Sequence, residues 1–432
     1  MRRLVAGPPV SPPQLRECPG CGLLQLVPAL HRGMTAQCIR CPTTLHRTTT
    51  HSLSDSIALT VAALAMLLVM STTTLMGVET AGIAHTANLL SGPAELVRRN
   101  MTGLAAVVVF VTLVAPLGKL GGTLYVLIRL HENRPADHLR RVFILVERLR
   151  PWSMIEVFVF GVFVAYVKLG DLVHITLDVG VYALIALMFL IIWADTSLDR
   201  QAVWQRLDRS RGERRPPALG YGPAAIGCEV CGLVAPPRPN DRGCRRCDAP
   251  LHRRKPDSVT RTWALVLAAA VLYVPANYYP VLTVMQLGAG QPSTIVGGVR
   301  ELVASGMYPL AALVFFASIA VPMLKLVGLS VMLATVQFGR MAWLRDRTRL
   351  YHAVRFVGRW SMIDIFMEAL LGALVRFGSV ITIEPGMGAV AFCGVVILTM
   401  FAAETFDPRL MWDAAERAEA TRAGVAPATV RL

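Results

Sequence analysis

The chain has 432 residues, of which 54% are hydrophobic and only 16% are charged, and its formal net charge is +15. A soluble domain of this length carries about a quarter charged residues, so the composition excludes an ordinary soluble protein and indicates a polytopic membrane protein. The basic charge is concentrated in arginines between long apolar segments. That pattern is typical of membrane topology signals rather than of nucleic-acid binding, so we expect no nucleic-acid partner.

The first segment, residues 1–50, contains two Cys-x-x-Cys pairs that are separated by 16 residues: Cys18/Cys21 and Cys38/Cys41. Each pair predicts a tight turn that points two thiolates at one metal ion, and four thiolates complete a tetrahedral shell. A basic linker and a second such segment occupy residues 206–256, where the pairs are Cys228/Cys231 and Cys244/Cys247. The spacing predicts two small zinc ribbons, each too short to fold without its metal.

Two other interpretations of the cysteines stay open. An iron site of the rubredoxin type uses the same four ligands. A dithiol redox switch needs only one pair and leaves the second unexplained. The ninth cysteine, Cys393, lies in an apolar segment, where a small packing residue is the simplest interpretation.

Two apolar blocks, 51–205 and 257–412, are each long enough for four membrane-spanning helices, since about 20 residues cross a bilayer. In the first block the helices are predicted at 57–78, 103–128, 154–171 and 175–194. In the second block they are predicted at 262–286, 308–337, 361–378 and 387–405. The last segment, 413–432, is polar and is predicted to be a disordered tail.

The two halves of the chain repeat each other. PWSMIEVF at 151–158 matches RWSMIDIF at 359–366, APLGKL at 115–120 matches VPMLKL at 321–326, and the offset stays between about 202 and 210 residues. The fold class is therefore an all-α polytopic membrane protein, a tandem duplication of a four-helix block that follows a small zinc ribbon. Arginines crowd the loops after the second helix of each block, so both termini and both ribbons are predicted to be cytoplasmic.

Charged residues inside the apolar blocks are costly and require a partner or a water-filled cavity. Lys119 and its repeat equivalent Lys325 each follow a proline by three residues, and a proline frees a backbone carbonyl within a helix. Either lysine could bind that carbonyl, a carboxylate or a headgroup. Asp195 and Glu404 lie near predicted helix ends, where we expect them to act as caps.

The acidic residues differ between the halves. Glu156 and Asp364 occupy equivalent positions, but Glu368, one turn beyond Asp364, has Phe160 as its equivalent. In the first half, Lys119 and Glu156 are further candidates for transport or proton coupling. Our hypothesis is that Lys325, Asp364 and Glu368 line one cavity, where the carboxylates exchange protons and couple ion movement to a conformational change. A static ion pair that sets the helix register is the alternative.

The sequence has no phosphate-binding loop and no recognisable nucleophile–base set, so we do not expect an enzyme. Three functions remain: a subunit that transports lipid, a transporter of small molecules or ions that acts alone, and a membrane anchor that senses metal or redox state.

The doubled ribbons, the two four-helix blocks and the repeated W-S-M-I-[DE]-[VI]-F phrase together resemble the paraquat-inducible protein A family. The resemblance implies a multi-pass protein of the bacterial inner membrane that works with a membrane-anchored partner carrying mammalian-cell-entry (MCE) domains. It implies phospholipid as the cargo and a proton gradient as the energy source. It also implies that Lys325 and Asp364 are polar membrane positions of the family, with Ser361 and Thr399 as further candidates.

Overall fold

The computed structural model describes residues 13–80, 83–132, 138–170, 174–209, 225–236, 243–286, 289–339, 343–374 and 381–424. The predicted basic linker falls mainly on residues 210–224, which lie outside the described residues.

The first ribbon, called ribbon 1, consists of two antiparallel hairpins. Strand β1 (Gln14–Glu17) pairs with β2 (Leu24–Val27), and β3 (Thr35–Gln37) pairs with β4 (Thr44–Arg47). Each Cys-x-x-Cys pair occupies or adjoins the turn of one hairpin, so the hairpins bring all four cysteines to one place.

Block 1 follows, and its described residues form eight α-helices. Their bounds are α1 (Leu53–Thr72), α2 (Ser91–Arg98), α3 (Thr102–Val109), α4 (Ala115–His131), α5 (Leu139–Leu149), α6 (Ile155–Gly170), α7 (Val179–Ser197) and α8 (Arg200–Arg209). Helix α1 begins with a capping box: Ser52 accepts the amide of Asp55 at 3.1 Å, and Asp55 accepts the amide of Ser52 at 2.9 Å. This exchange satisfies two amides that the first turn leaves free.

The first helix ends earlier than the sequence predicts. The apolar run was expected to stay helical to residue 78, but α1 ends at Thr72 and the chain continues as β5 (Thr74–Thr80). Strand β5 pairs on one side with β6 (Ile83–Asn88) and on the other with β7 (His174–Leu177). A run of threonines at this point favours extended backbone, because β-branched side chains lose rotamer freedom in a helix.

Ribbon 2 and block 2 repeat this plan. Ribbon 2 contains β8 (Ile226–Gly227) and β9 (Val234–Ala235), and the sheet of block 2 contains β10 (Leu282–Gln286), β11 (Ala289–Ser293) and β12 (Ile381–Pro385). The helices of block 2 are α9 (Ser258–Tyr278), α10 (Ile295–Ala304), α11 (Tyr308–Phe315), α12 (Val321–Gln337), α13 (Leu344–Val357), α14 (Ile363–Leu374), α15 (Met387–Thr405) and α16 (Arg409–Arg422).

Two predictions about elements are corrected here. The fold is not all-α, because each block also carries a three-stranded sheet. The first strand of each sheet follows the C-terminal end of the block's first long helix, α1 or α9. Helix 262–286 was predicted as one element, but α9 ends at Tyr278 and β10 begins at Leu282. The intervening Pro280 cannot donate the backbone hydrogen bond that would continue the helix.

The polar segment 413–432 was predicted to be a disordered tail, but its first part is helical. Helix α16 runs to Arg422, and its own Ala414 and Ala415 are buried. Apolar side chains at helical spacing give α16 one face that packs against the protein. Residues 425–432 lie outside the described part of the chain.

Seven helices of the described residues are long and apolar enough to cross a membrane. In two of them a π-helical turn, at Phe110–Val114 and at Phe316–Ala320, joins α3 to α4 and α11 to α12. Each turn lies directly before the proline of the repeated segment, where the missing N–H disturbs the regular ladder. The eighth predicted span, 361–378, is described over the twelve residues of α14.

The two blocks meet where α6 crosses α14. A Cβ at Gly161 of α6 would lie 2.8 Å from Cβ of Phe366, so glycine permits the helices to approach closely. On α14 every side chain except that of Ala373 is buried. This helix is therefore enclosed by protein, whereas its equivalent α6 exposes Phe163 and Tyr166.

Candidate metal centres and intramembrane polar site

The cysteines of ribbon 1 form a cluster of metal-binding geometry. The four Sγ atoms lie within 4.8 Å of one another, with Cys18 to Cys41 at 3.4 Å and Cys21 to Cys38 at 3.6 Å. Thiolates about 2.3 Å from a tetrahedral zinc ion lie about 3.8 Å apart, so the residues fit such an ion. Gly22 takes a positive φ of 74° directly after the first pair, and the amide of Arg40 donates to Sγ of Cys38.

Ribbon 2 repeats this geometry. Sγ of Cys228 lies 3.5 Å from that of Cys247, and Cys231 lies 3.6 Å from Cys244. Gly232 has a φ of +68°, and the amide of Arg246 donates to Sγ of Cys244. Both clusters were predicted from spacing, and the structure brings all eight cysteines together as two buried four-thiol sites. Each site fits a metal with thiolate ligands.

Each ribbon packs against a tryptophan near the C-terminal end of a membrane block from the other half of the chain. Ribbon 1 packs on Trp412 at the end of block 2, with the guanidinium of Arg40 4.4 Å from its ring centre. Ribbon 2 packs on the equivalent Trp204 at the end of block 1. The first and last parts of the described chain are thus in contact, because ribbon 1 covers the end of block 2.

Polar contacts strengthen both junctions. Thr43 of ribbon 1 lies 3.1 Å from Nε2 of His352 on α13. In ribbon 2, Arg246 forms an ion pair with Asp208 of α8 at 2.7 Å, and its carbonyl accepts a 2.6 Å hydrogen bond from Arg140. The ribbons are therefore parts of the membrane blocks' packing and not separate appendages.

Glu17 joins the two ribbons to the end of the chain. Its carboxylate accepts the amide of Gly227 at 2.7 Å and pairs with Arg409 at 3.0 Å and with Arg254 at 3.3 Å. Arg409 also pairs with Asp407 at 2.9 Å. Burial alone would raise the pKa of Asp407, but the hydrogen bonds and charge of Arg409 outweigh it and hold that pKa below its ordinary value.

A cleft of about 840 Å³ lies between the ribbons and the membrane blocks. It has mixed charge, and its floor in block 1 includes Arg150 and Asp195. Asp195 accepts a 2.8 Å hydrogen bond from Nζ of Lys119, a lysine that is only 5% exposed. Asp195 was expected to cap a helix, and that expectation was wrong, because it is the ion-pair partner of the buried lysine.

The equivalent lysine of block 2 has different surroundings. Lys325 is 2% exposed, and its Nζ donates a 3.3 Å hydrogen bond to Thr399. The repeat equivalent of Asp195 is Ala403, so the carboxylate of block 1 is missing here. The equivalent of Arg150 is Gly358, where a Cβ would lie 3.2 Å from Cε of Lys325. Lys325 thus packs against the position that is occupied by Arg150 in the first half and by Gly358 in the second.

The acidic pair of block 2 lies on the enclosed helix α14. One oxygen of Asp364 accepts a hydrogen bond from Oγ of Ser318, and the other is buried without a partner among the described residues. Glu368 is also buried, and its Oε2 has no hydrogen-bond partner in the described part of the chain. The same holds for Oγ of Ser361, at the start of this segment.

These residues share one face, because Ser361, Asp364 and Glu368 are spaced by three and four positions. Three unpartnered oxygens at this depth are costly, since an unmade buried hydrogen bond costs about 1–3 kcal/mol. Among the described contacts no ion pair joins Lys325 to either acid, so the alternative of a static pair between them finds no support there.

Block 1 does not repeat this arrangement. Glu156, the equivalent of Asp364, is partly exposed, and Phe160 replaces Glu368. The ring of Phe160 packs 4.8 Å from that of Trp360 in the other block. The predicted asymmetry between the halves is therefore visible in burial as well as in sequence.

Two residues of the polar sites were missed from the sequence, namely Ser318 and Asp195 as a lysine partner. Ser318 is the repeat equivalent of Thr112, and both lie in the π-helical turns, where each hydroxyl donates 2.8 Å to a carbonyl one turn earlier. A hydroxyl kept at the same place in both halves is the signal that could have identified Ser318.

Comparison with known proteins gives matches over nearly the whole chain. The family model described as paraquat-inducible protein A matches twice, at residues 53–208 and 259–416. The intermembrane transport protein PqiA of Escherichia coli (strain K12) is 35% identical over 92% of this chain and 95% of its own length.

Two further relatives are similar to this chain. The lipophilic envelope-spanning tunnel protein A of Escherichia coli (strain K12) is 32% identical over 94% of this chain and 92% of its own length. A probable intermembrane transport protein of Haemophilus influenzae is 28% identical over 94% of this chain and 98% of its own length. No solved structure matches the chain.

Proposed function

The chain belongs to the paraquat-inducible protein A family, and on that premise we propose that it is the inner-membrane subunit of a system that moves phospholipid between two bacterial membranes. It loads lipid into, or extracts lipid from, a tunnel formed by a membrane-anchored partner with MCE domains. The observation that carries this proposal is the full-length similarity to relatives named as intermembrane transport proteins. Those relatives are named as transporters, so the proposed role involves no catalysis.

We place the ribbon side of the membrane in the cytoplasm. Helices α5 and α13, which carry many of the arginines, lie on that side and contact the ribbons through Arg140 and His352. Excess basic residues favour the cytoplasmic side. The sheets of β5–β7 and β10–β12 would then face the periplasm and the partner.

The two four-cysteine sites are proposed to hold zinc, with iron as the alternative metal. The ligands are Cys18, Cys21, Cys38, Cys41, Cys228, Cys231, Cys244 and Cys247. A bound metal would crosslink the two hairpins of a ribbon that has little core of its own. Through Trp204 and Trp412 it would also hold the ends of the membrane blocks in place.

Transport is proposed to be coupled to protons at the block 2 site. Asp364 and Glu368 are two close carboxyl groups enclosed by protein, and both retain an oxygen without a partner. Two such groups at low dielectric do not both stay ionised, so taking up and releasing a proton changes the charge inside the block. Lys325 on α12 and Thr399 on α15 belong to other helices of the same block and would respond to that change in charge. Lys119 of block 1 is instead neutralised by Asp195.

The test measures transfer of fluorescent phospholipid between donor and acceptor vesicles by the chain with its partner, with and without a pH gradient. We expect Asp364→Asn and Lys325→Ala to abolish transfer while expression stays normal. Glu156→Gln, at the repeat equivalent of Asp364, is the matched control and should retain transfer. Full activity in both block 2 variants would exclude proton coupling at this site.

A second measurement tests the function itself. Co-purification followed by mass spectrometry should find an MCE-domain partner and bound phospholipid. A chain that purifies alone and without lipid would contradict the lipid-transport role.

A further inference from the structure

A crevice of about 310 Å³ lies where the two membrane blocks meet on the ribbon side. Its walls come from ribbon 2, from the end of α5 in block 1, and from the adjacent ends of α9 and α15 in block 2. It adjoins the larger 840 Å³ cleft, with which it shares Arg148, Lys255 and Glu404. The crevice is thus a side opening of the cleft at the level where two membrane-spanning helices begin and end.

Three basic side chains from three separate segments line this crevice. Arg148 of α5 makes no hydrogen bond or ion pair with any described residue. Arg261 of α9 lies 3.7 Å from Asp257, but both side chains are more than half exposed, and such pairs contribute little. Nζ of Lys255 donates to the backbone carbonyl of Glu404 at 2.5 Å, which leaves its charge uncompensated.

Each of the two acids that line the crevice has an arginine partner outside it. Glu404 pairs with Arg355 at 3.0 Å, and Glu229 pairs with Arg409. The lining holds three cations, Arg148, Lys255 and Arg261, against these two carboxylates. The crevice has an excess of positive charge at a place where an anionic group can enter.

The remaining walls are apolar. Val230, Leu251 and Pro256 line the same crevice. Cations above apolar side chains at the end of a membrane-spanning helix match the junction between a lipid headgroup and its acyl chains. A freely soluble anion needs only the charges, whereas a phospholipid uses both parts of the wall.

The repeat supplies an internal comparison. In the other half the positions equivalent to Arg148 and Arg261 are Phe356 and Leu59, both apolar. The duplicated fold does not require arginine at these positions, since one copy lacks it. The positive charge is thus a property of one junction between the blocks.

We propose that this crevice binds the phosphate of an anionic phospholipid headgroup, with Arg148, Arg261 and Lys255 as the binding cations. The acyl chains lie along the block junction, and the headgroup faces the cleft. This site gives the proposed lipid-transport function an entry point in the ribbon-side leaflet and rests on that function, although binding is measurable without transport.

The test uses the full chain in nanodiscs of phosphatidylcholine to which phosphatidylglycerol is added in steps, with bound lipid counted by native mass spectrometry. We expect the double variant Arg148→Ala/Arg261→Ala to bind phosphatidylglycerol about thirtyfold more weakly, the combined effect of two basic residues near an anionic lipid. Arg141→Ala, an exposed arginine on the same helix but outside the crevice, should bind as the wild type does.

Equal weakening by Arg141→Ala, or unchanged binding in the double variant, would overturn the site. Excess inorganic phosphate distinguishes the two sources of the ligand: it should not displace the lipid, and displacement would show a site for free phosphate instead. A wild-type chain that binds the lipid here but transfers none to its partner would contradict the transport function and leave the site standing. The variants change exposed side chains, and their unfolding temperatures are compared to confirm folding.

Discussion

Nζ of Lys119 lies 2.8 Å from Oδ2 of Asp195, and the described residues of the second half of the duplicated chain show no equivalent ion pair. There, within the described part of the chain, Lys325 makes its side-chain hydrogen bond to the hydroxyl of Thr399, at 3.3 Å. One buried lysine is therefore neutralised and the other is not. Because the two lysines occupy equivalent positions after equivalent prolines, they differ in their partners and not in their location in the fold.

We expect Asp195→Asn to destabilise block 1. The substitution leaves the Lys119 amine buried without its counter-charge, which should cost about 1–3 kcal/mol in the free energy of unfolding. Thermal unfolding of the detergent-solubilised protein measures the effect. Lipid transfer per folded molecule should change little, and a large loss of transfer at unchanged stability would contradict a structural role for the pair.

The reverse change tests the second lysine. Ala403→Asp places a carboxylate at the position equivalent to Asp195, and the repeat predicts that it pairs with Lys325 as Asp195 pairs with Lys119. A new buried pair should hold the amine in its charged form, so we expect lipid transfer to fall strongly while the protein remains folded. Transfer rates of this variant and of the wild type, measured at several pH values, provide the check. Wild-type rates in the variant would show that Lys325 need not be free.

The close approach of α6 and α14 is sensitive to side-chain volume. Gly161→Val introduces atoms where a Cβ alone would lie 2.8 Å from Phe366, so the helices must separate. Overpacking of this kind costs about 1–3 kcal/mol, and we expect a lower unfolding temperature and reduced lipid transfer. Gly121→Val on α4 is the control, because a Cβ there has no neighbour within 4 Å.

Metal content should follow the two cysteine clusters. The wild-type chain should contain two metal ions, and Cys231→Ser should reduce this to one, measured by elemental analysis of the purified protein. The variant should also unfold at a lower temperature, because ribbon 2 packs on Trp204. Cys393→Ser, in α15 and outside both clusters, should retain both metal ions. A variant that loses its metal but keeps full stability would favour a sensing role.

The Asp407–Arg409 pair predicts part of the acid sensitivity. The folded-state pKa of Asp407 is depressed, so the unfolded chain binds the proton more readily. The pair's contribution to stability is fully present above the ordinary aspartate pKa of about 3.9 and is lost as the pH falls through the depressed value. Asp407→Asn should therefore be less stable than wild type at neutral pH, and the difference should shrink in acid. An equal difference at every pH would exclude this linkage.

Much of the architecture follows from local patterns that the sequence contains by itself. Long apolar runs fix where helices can cross a membrane, and the helices at 308–337 and 387–405 have the predicted bounds. The Cys-x-x-Cys spacing determines both four-thiol clusters, because the turn within each pair is a local structure. The repeated phrases reveal the duplication, and the family model matches each half once.

Other features depend on contacts between distant residues and could not be read from the chain. Whether Asp195 caps a helix or neutralises Lys119 depends on how α4 and α7 pack, 76 residues apart in sequence. The docking of ribbon 1 on Trp412 depends on a contact between residues that are almost 400 positions apart in sequence. The sheets replaced predicted helix ends where β5 and β10 each pair with the next strand and also with a strand about 100 residues further along the chain. Local spacing determines the elements and the metal ligands, but only the tertiary structure decides which buried charges are neutralised.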